Sequence, residues 1–500
     1  VATVNPRERN KDSDTKTTLV KADTINLAMF EPRNFNVYES NDEDIFYINQ
    51  LVYSSLFKLD KNLNITPDVV SKYSVDTSNG EVNISLKDNV KFSDGSDLES
   101  SDVKASVDRI IAAESRSPYF VYASKINHIQ INDSKNFTVV FNSASDAALD
   151  NLIFPITSAG EYNKGESFAI GSGPYAYSGH ESGKTLKLAV NKYYYDGIAK
   201  LPIVFNIVKD RSVIPGLMTM DVVTAYLNKT QDADSIAQDK KLKYKKLASG
   251  ELEYLGFNHE NKYCSNSKFR IAISKAIDSS KIIKYNYAGA AVTSDSIYYP
   301  NFLGAKKDDT FNFEPKKAKL LKELKLKDRD EDGIIEDESG NPVTLRILVQ
   351  NTNKQRLEAA ETIIENLKQI GINAELVSVD ADSYKDKLES KQYDIYFGGI
   401  KIDKQFNLTD LYTTYNKIGF SDSKLLTQIS KLEQSLSSEE QLKQFTAIKK
   451  SINQDASYVP VCYKAYWFLS VDTLKNADDV SFYSPYEGAV KWQWSKRKTK

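Results

Sequence analysis

Residues 343–400 read VTLRILVQNTNKQRLEAAETIIENLKQIGINAELVSVDADSYKDKLESKQYDIYFGGI. Val343, Leu345, Ile347 and Val349 recur at every second position, the period of a strand. Leu357, Ala360, Ile364 and Leu367 then fall on one helical face, and Gly371 is a natural residue to end that helix. Ile372, Ala374 and Leu376 resume the period of two, residues 382–390 form a short helix, and Tyr393–Phe397 make a third strand. A β-α-β-α-β order predicts a right-handed parallel sheet. Ligands of such sheets sit beyond the carboxyl ends of the strands, which places residues 398–403 at a binding crevice.

The reading outward from this unit is of several domains. Five hundred residues exceed what one hydrophobic core supports, and 41% hydrophobic with 27% charged is ordinary for a globular chain. Earlier strands are expected at Thr24–Ala28, 127–132, 136–141, Lys184–Val190 and Ile203–Val208. Val75, Val82, Ile84 and Leu86 alternate as a meander. Ile45–Leu56 reads as a helix; a second, with Ser101 as N-cap, places Val103, Val107, Ile110 and Ile111 on one face. Phe269, Ile273, Ala276 and Ile277 mark a third, and Asp278 caps a fourth.

Composition also excludes. The 66 basic and 68 acidic residues are interspersed and leave a net charge of −2, so no basic surface for nucleic acid is expected. No run of about 18 apolar residues occurs to span a membrane. Residues 1–20 are polar without apolar period, a flexible tether. Cys264 and Cys462 stand far apart without a C-x-x-C pair, and His128, His180 and His259 are mutually remote, so neither a zinc site nor a nucleophile–His pair is indicated. Gly-x-Ser-x-Gly and His-Glu-x-x-His are both absent. Whether the cysteines pair is left open. Asp328, Asp330, Asp332 and Gly333 resemble the start of a calcium loop, but position twelve is Ser339, with Glu338 one short; an acidic turn without an ion is favoured. Gly171-Ser172-Gly173 reads as a boundary turn rather than an anion cradle, and Arg270 as a structural ion-pair partner. No cofactor is expected.

Several segments carry a resemblance. Leu51–Asp60, Ile65–Val70, Ile84–Gly95 with Ser101-Asp102-Val103, Ile170–Tyr175 with Asn191–Tyr195, Tyr254–Asn258 with Phe269–Asp278, Ala318–Leu321 and Ile370–Ile372 stand in order and at the spacing of a family's signatures. In these the chain resembles the oligopeptide/dipeptide/nickel-binding family of ABC-transporter solute-binding proteins over nearly all of residues 21–495. The resemblance implies an α/β clamshell of two lobes with an extra α+β domain in the N-terminal half. Residues 21–53, 170–254 and 475–500 would form lobe 1, 54–169 the extra domain, and 255–474 lobe 2. It implies a monomeric, non-enzymatic protein on the extracellular face of the membrane, lipid-anchored if the Lys-, Asn-, Ile- and Tyr-rich usage means a Gram-positive source. Its partners would be a short peptide and an ABC importer.

Tyr393–Asp403 matches the family's strand and loop, in which the final Asp holds a peptide's α-ammonium. Asp403 is the counterpart. Gly398, Gly399, Ile400 and Lys401, with Asn36 and Val37 on the other lobe, would pair with an extended peptide as an added strand. Ile400 stands where an aromatic is common, and Lys404-Gln405 replaces the usual Asp-Pro. A nickel or other chelate as ligand, an extracellular hydrolase, and an adhesin or receptor are the competing readings.

Overall fold

The structure is a computed structural model that describes residues 23–160, 162, 168–230, 241–402, 409–432 and 438–495. It is a mixed α/β protein of two lobes, matching the expected class.

The first lobe carries two four-stranded sheets. In one, Ile25–Met29 runs parallel to Ile203–Ile207, which continues antiparallel through Thr185–Val190 to Tyr175–Glu181. The other is antiparallel, in the order Val70–Asp76, Glu81–Leu86, Asn136–Phe141, Ile126–Ile131. The strands alternate as their sequences do: in Glu81–Leu86, Val82, Ile84 and Leu86 are buried. A single apolar core joins the two sheets through Ile48, Leu51 and Phe57 to Val82, Val103 and Phe137. The helix over the second sheet begins two residues earlier than expected, at Ser100, with Glu99 rather than Ser101 as N-cap, and Ile111 lies exposed rather than on its buried face. Asp102 accepts from the Glu99 N–H at 2.7 Å while Glu99 accepts from the N–H of Asp102, a reciprocal capping box that satisfies two otherwise orphaned donors.

The second lobe is built on a seven-stranded sheet. Its main order is Ala225–Asn228, Tyr458–Val471, Leu242–Phe257, Ile395–Lys401, Thr344–Gln350, Asn373–Val379. The β-α-β-α-β unit is present with its strands parallel, Ile347 opposite both Leu376 and Ile395. It forms one edge of a mixed sheet, because Ile395–Lys401 is antiparallel to its other neighbour. The 16-residue Leu242–Phe257 and 14-residue Tyr458–Val471 strands serve both lobes. Leu247, Phe468 and Val471 pack in the first lobe's core, whereas Leu255, Phe257, Val459 and Val461 pack in the second's. Between these halves the register breaks, at Ala248/Leu252 and again at Glu253/Tyr254. The chain thus passes between lobes along a locally bulged ladder.

The helix Lys354–Gln369 is N-capped by Asn353, whose side chain accepts from the Arg356 N–H at 3.0 Å. It buries Ala359, Ala360, Ile363 and Leu367 against the sheet, with Leu357 and Ile364 at the margin of that face. One correction bears on the site. The third strand runs Ile395–Lys401, not Tyr393–Phe397, so Gly398–Lys401 lie inside the sheet rather than beyond its end. Their partners, Glu251–Tyr254, are nearly 150 positions away and invisible to local periodicity.

Candidate ligand-binding site

The Ile402 N–H donates to Gly250 O, which fixes the ladder phase. In an antiparallel pair bonded partners alternate, so Ile400 and Gly398 bond to Leu252 and Tyr254, while Gly399 and Lys401 direct their N–H and C=O to the opposite side. On that side Thr344–Gln350 pairs only as far as Ile395 and Tyr396. Gly399 and Lys401 are exposed, and among the described residues no strand takes up their outward groups. This is a short open edge inside the sheet, in addition to those of its two outermost strands.

A buried ion cluster lies beneath it. Glu253, 2% exposed, stands opposite Gly399. Arg356 Nε donates to Glu253 Oε2 at 2.6 Å and Nη2 to Oε1 at 3.0 Å, and Lys464 Nζ is 3.4 Å from Oε1. The Arg356 fork passes directly over Gly399: a Cβ there would sit 2.2 Å from Nη2. Burial opposes the arginine's charge, but the hydrogen bonds and charge of Glu253 outweigh it and hold the guanidinium's pKa above its ordinary range. Two cations against one carboxylate leave the cluster positive.

The facing wall comes from the first lobe. Lys229 Nζ donates to Glu43 and lies 5.3 Å from the Tyr47 ring and 5.4 Å from that of Tyr466. Burial lowers the Lys229 pKa, Glu43 partly restores it, and the charges of Lys401 and Arg211 lower it again. The charge of Lys401 on the open strand is thus among those that act on Lys229. Beside it Arg211 pairs with Asp44 at 3.0 Å and covers the Phe30 ring at 4.0 Å. Nothing in the sequence singled out Glu43, Tyr47, Arg211, Lys229, Glu253 or Arg356. The Glu43–Tyr47 helical spacing was visible, but its partner 186 residues away was not.

The other expected residues fall differently. Asn36 and Val37 are 5% and 1% exposed. Asn36 O accepts from the N–H groups of Glu39 and Ser40, its carboxamide engages Tyr162 and the Tyr38 N–H, and Val37 O accepts from Asn49 Nδ2 at 3.4 Å. The carbonyls of both residues are thus bonded within lobe 1. Asp403 lies outside the described residues. Gly171–Gly173 packs on a helix end, with the Gly173 N–H donating to Val52 O at 2.9 Å; a Cβ at either glycine would fall within 2.5 Å of a carbonyl oxygen there. It is a turn packed tightly on that helix end. Arg270 is buried and bonds Cys264 O and Asp455 O, a structural role. Cys264 and Cys462 are both free thiols.

Asp328, Asp330, Asp332 and Glu336 bring carboxylate oxygens within 4.8 Å of one another. Glu336, at position nine, joins the aspartates, whereas Glu338 pairs with Lys325 at 3.1 Å. Glu336 already accepts from the Arg329 N–H at 2.7 Å and Asp328 from that of Gly333 at 3.0 Å, so the loop satisfies itself.

The chain resembles known proteins over most of its length. It is 25% identical over 365 residues to the glutathione-binding protein GsiB of Salmonella paratyphi A, covering 71% of this chain and 69% of the relative. It is 24% identical over 393 residues to the oligopeptide-binding protein AppA of Bacillus subtilis, covering 73% and 70%. Among solved structures, the unliganded open form of the periplasmic murein tripeptide-binding protein MppA shares the fold, with a TM-score of 0.80 at 14% identity over 95% of this chain and 97% of that one. The model for "Bacterial extracellular solute-binding proteins, family 5 Middle" matches residues 64–422, and the chain belongs to that family.

Proposed function

We propose that this solute-binding protein captures short peptides between its lobes and hands them, unaltered, to an ABC importer at the outer face of the membrane. The observation that carries the reading is the open edge at Gly399 and Lys401. It offers an extended backbone N–H and C=O partners without reading side chains, which suits a ligand defined by its main chain. Relatives named for glutathione and oligopeptide binding support the same ligand class. Asp403, following the strand, is the proposed anchor for the peptide's ammonium, and a charge-assisted hydrogen bond enclosed there would contribute roughly 1.5–3 kcal/mol. Gly398 and Ile400, whose own bonds go to Tyr254 and Leu252, would hold this edge in position for the peptide.

In this reading residues 21–53, 170–254 and 475–500 move as one lobe with 54–169 attached, and 255–474 as the other, acting as a monomer. Attachment to a Gram-positive membrane through a lipid on the segment before the fold is part of the same proposal, and release from native membranes by detergent alone is its test.

The experiment is native mass spectrometry of the purified protein against a mixed di- to hexapeptide pool. A one-to-one peptide complex, weakened by Asp403→Ala, is expected. Retention of a nickel–histidine chelate with no peptide would replace the ligand class, and cleavage of the pool by pure protein would overturn capture without chemistry.

A further inference from the structure

Between Ala248 and Leu252 the long Leu242–Phe257 strand departs from the Tyr458–Val471 strand. Ala248 faces Ala465 and Leu252 faces Tyr463, so this stretch carries two more residues than the one it opposes. The bulged residues pair on the other side instead. Glu251 stands opposite Lys401, and Gly250 O accepts from the Ile402 N–H. Ser249, 0% exposed, braces the bend, its Oγ accepting from the Glu251 N–H at 3.1 Å.

Gly250 is buried at this bend, and it is space rather than torsion that requires a glycine, because its φ is not left-handed. A Cβ there would overlap the Ile402 carbonyl oxygen, and would stand 3.0 Å from that carbonyl's carbon and 3.2 Å from Phe482 Cε2. Glycine inside a strand often marks such a close approach of another backbone. The ring on the far side has little room to yield. Phe482 lies 5.8 Å from the Tyr299 ring and 6.4 Å from that of Tyr483, packed against the apolar clusters of both lobes. Ile402 itself is 0% exposed, in a cluster with Leu252, Tyr254 and Tyr463. An added methyl group at Gly250 therefore moves the backbone of residue 402.

That backbone holds the open edge. Lys401 sits between Ile400, bonded to Leu252, and Ile402, bonded to Gly250, and these two anchors aim its N–H and C=O outward. We propose that Gly250 is a positioning residue for the captured peptide: by admitting the Ile402 carbonyl against its Cα, it fixes the end of the open strand and the aim of the Lys401 backbone groups. This role rests on the capture of peptides along that edge.

The test uses the full chain, with alanine peptides of two to six residues titrated by calorimetry and hydrogen exchange resolved to single amides. In the wild type the Ile402 amide should be protected roughly tenfold more than that of Lys401. Gly250→Ala should reduce Ile402 to the protection of Lys401, leave Ile400 unchanged, and weaken peptide affinity roughly tenfold, the worth of one backbone hydrogen bond. Calorimetric affinity refers to folded molecules, so a purely structural loss would lower the stoichiometry and leave the affinity alone. Equal protection of Ile402 and Lys401 in the wild type would overturn the proposal, and that comparison needs no variant to fold. Wild-type affinity in Gly250→Ala would overturn the positioning role and leave capture standing. Binding of none of the peptides by the wild type would overturn capture itself, and this role with it.

Discussion

Gly399 shows how one missing methyl group organises the site. The Arg356–Glu253 pair crosses the strand at the height where a Cβ would stand, so Gly399→Ala must push the guanidinium aside. Loss of one partner from a buried pair typically costs about 3–5 kcal/mol, and displacement a good part of it. Gly399→Ala is therefore expected to lower stability to urea by roughly 2 kcal/mol and to weaken peptide binding. An unchanged denaturation midpoint would show that the arginine has another place to go. A second residue-scale effect is pH dependence. Burial, helped by the charge of Arg270, lowers the His259 pKa from 6.5 to about 4. The unfolded chain takes up that proton first, so the stabilisation present above about pH 6.5 is lost as pH falls towards 4. Burial raises the Asp150 carboxyl from 3.8 to about 6, which reverses the sign: the folded state holds the proton, and stability falls as pH rises through that window. His259→Gln should flatten the acid limb of the stability–pH curve. Asp150→Asn should raise stability at pH 7 but not at pH 3.5, as read by thermal midpoints across pH.

Helix ends and strand lengths are where local sequence signals met non-local ones. Asn353 is both the cap of its helix and the support of the turn that carries Arg356, since it accepts from the Arg356 N–H. Asn353→Ala should cost about 1 kcal/mol, with Asn353→Asp retaining most of it, and the alanine variant should also bind peptide less tightly. Wild-type affinity in a destabilised variant would separate capping from positioning. The helix itself was legible from its apolar period. The Ile395–Lys401 strand was legible only as far as Phe397, where hydrophobicity stops. Beyond it Gly398-Gly399 reads as a loop, and only the antiparallel partner at Glu251–Tyr254 makes it strand. At Ser100 the same kind of limit appeared on a smaller scale: a Glu in the cap position was overlooked because Ser and Asp are the stronger cap formers.

At the scale of the whole molecule, the two long strands carry the chain between lobes through a ladder interrupted at Ala248/Leu252. A few further contacts bridge the halves. Tyr299 OH donates to Ala248 O at 2.7 Å, and the Leu303 N–H to Asn64 Oδ1 at 2.8 Å. So slender a connection lets a ligand that touches both walls shift the lobes towards each other. Saturation with a binding peptide should lower the radius of gyration measured by X-ray scattering. At a hundredfold excess over Kd it should add about 2.7 kcal/mol to stability. Binding with no change in the scattering curve would mean that the lobes are already at their closed spacing.

Sequence alone determined the parallel β-α-β-α-β unit, the more-than-one-lobe scale and the family to which the chain belongs. These follow from periodicity, composition and motif order, all of which are local or additive. The tertiary structure decided the open edge at Gly399 and Lys401, the Glu253–Arg356–Lys464 cluster and the Glu43–Lys229 pair. Each joins residues tens to hundreds of positions apart, or depends on which groups a fold leaves without a partner, and pairwise burial of that kind leaves no periodic trace along the chain.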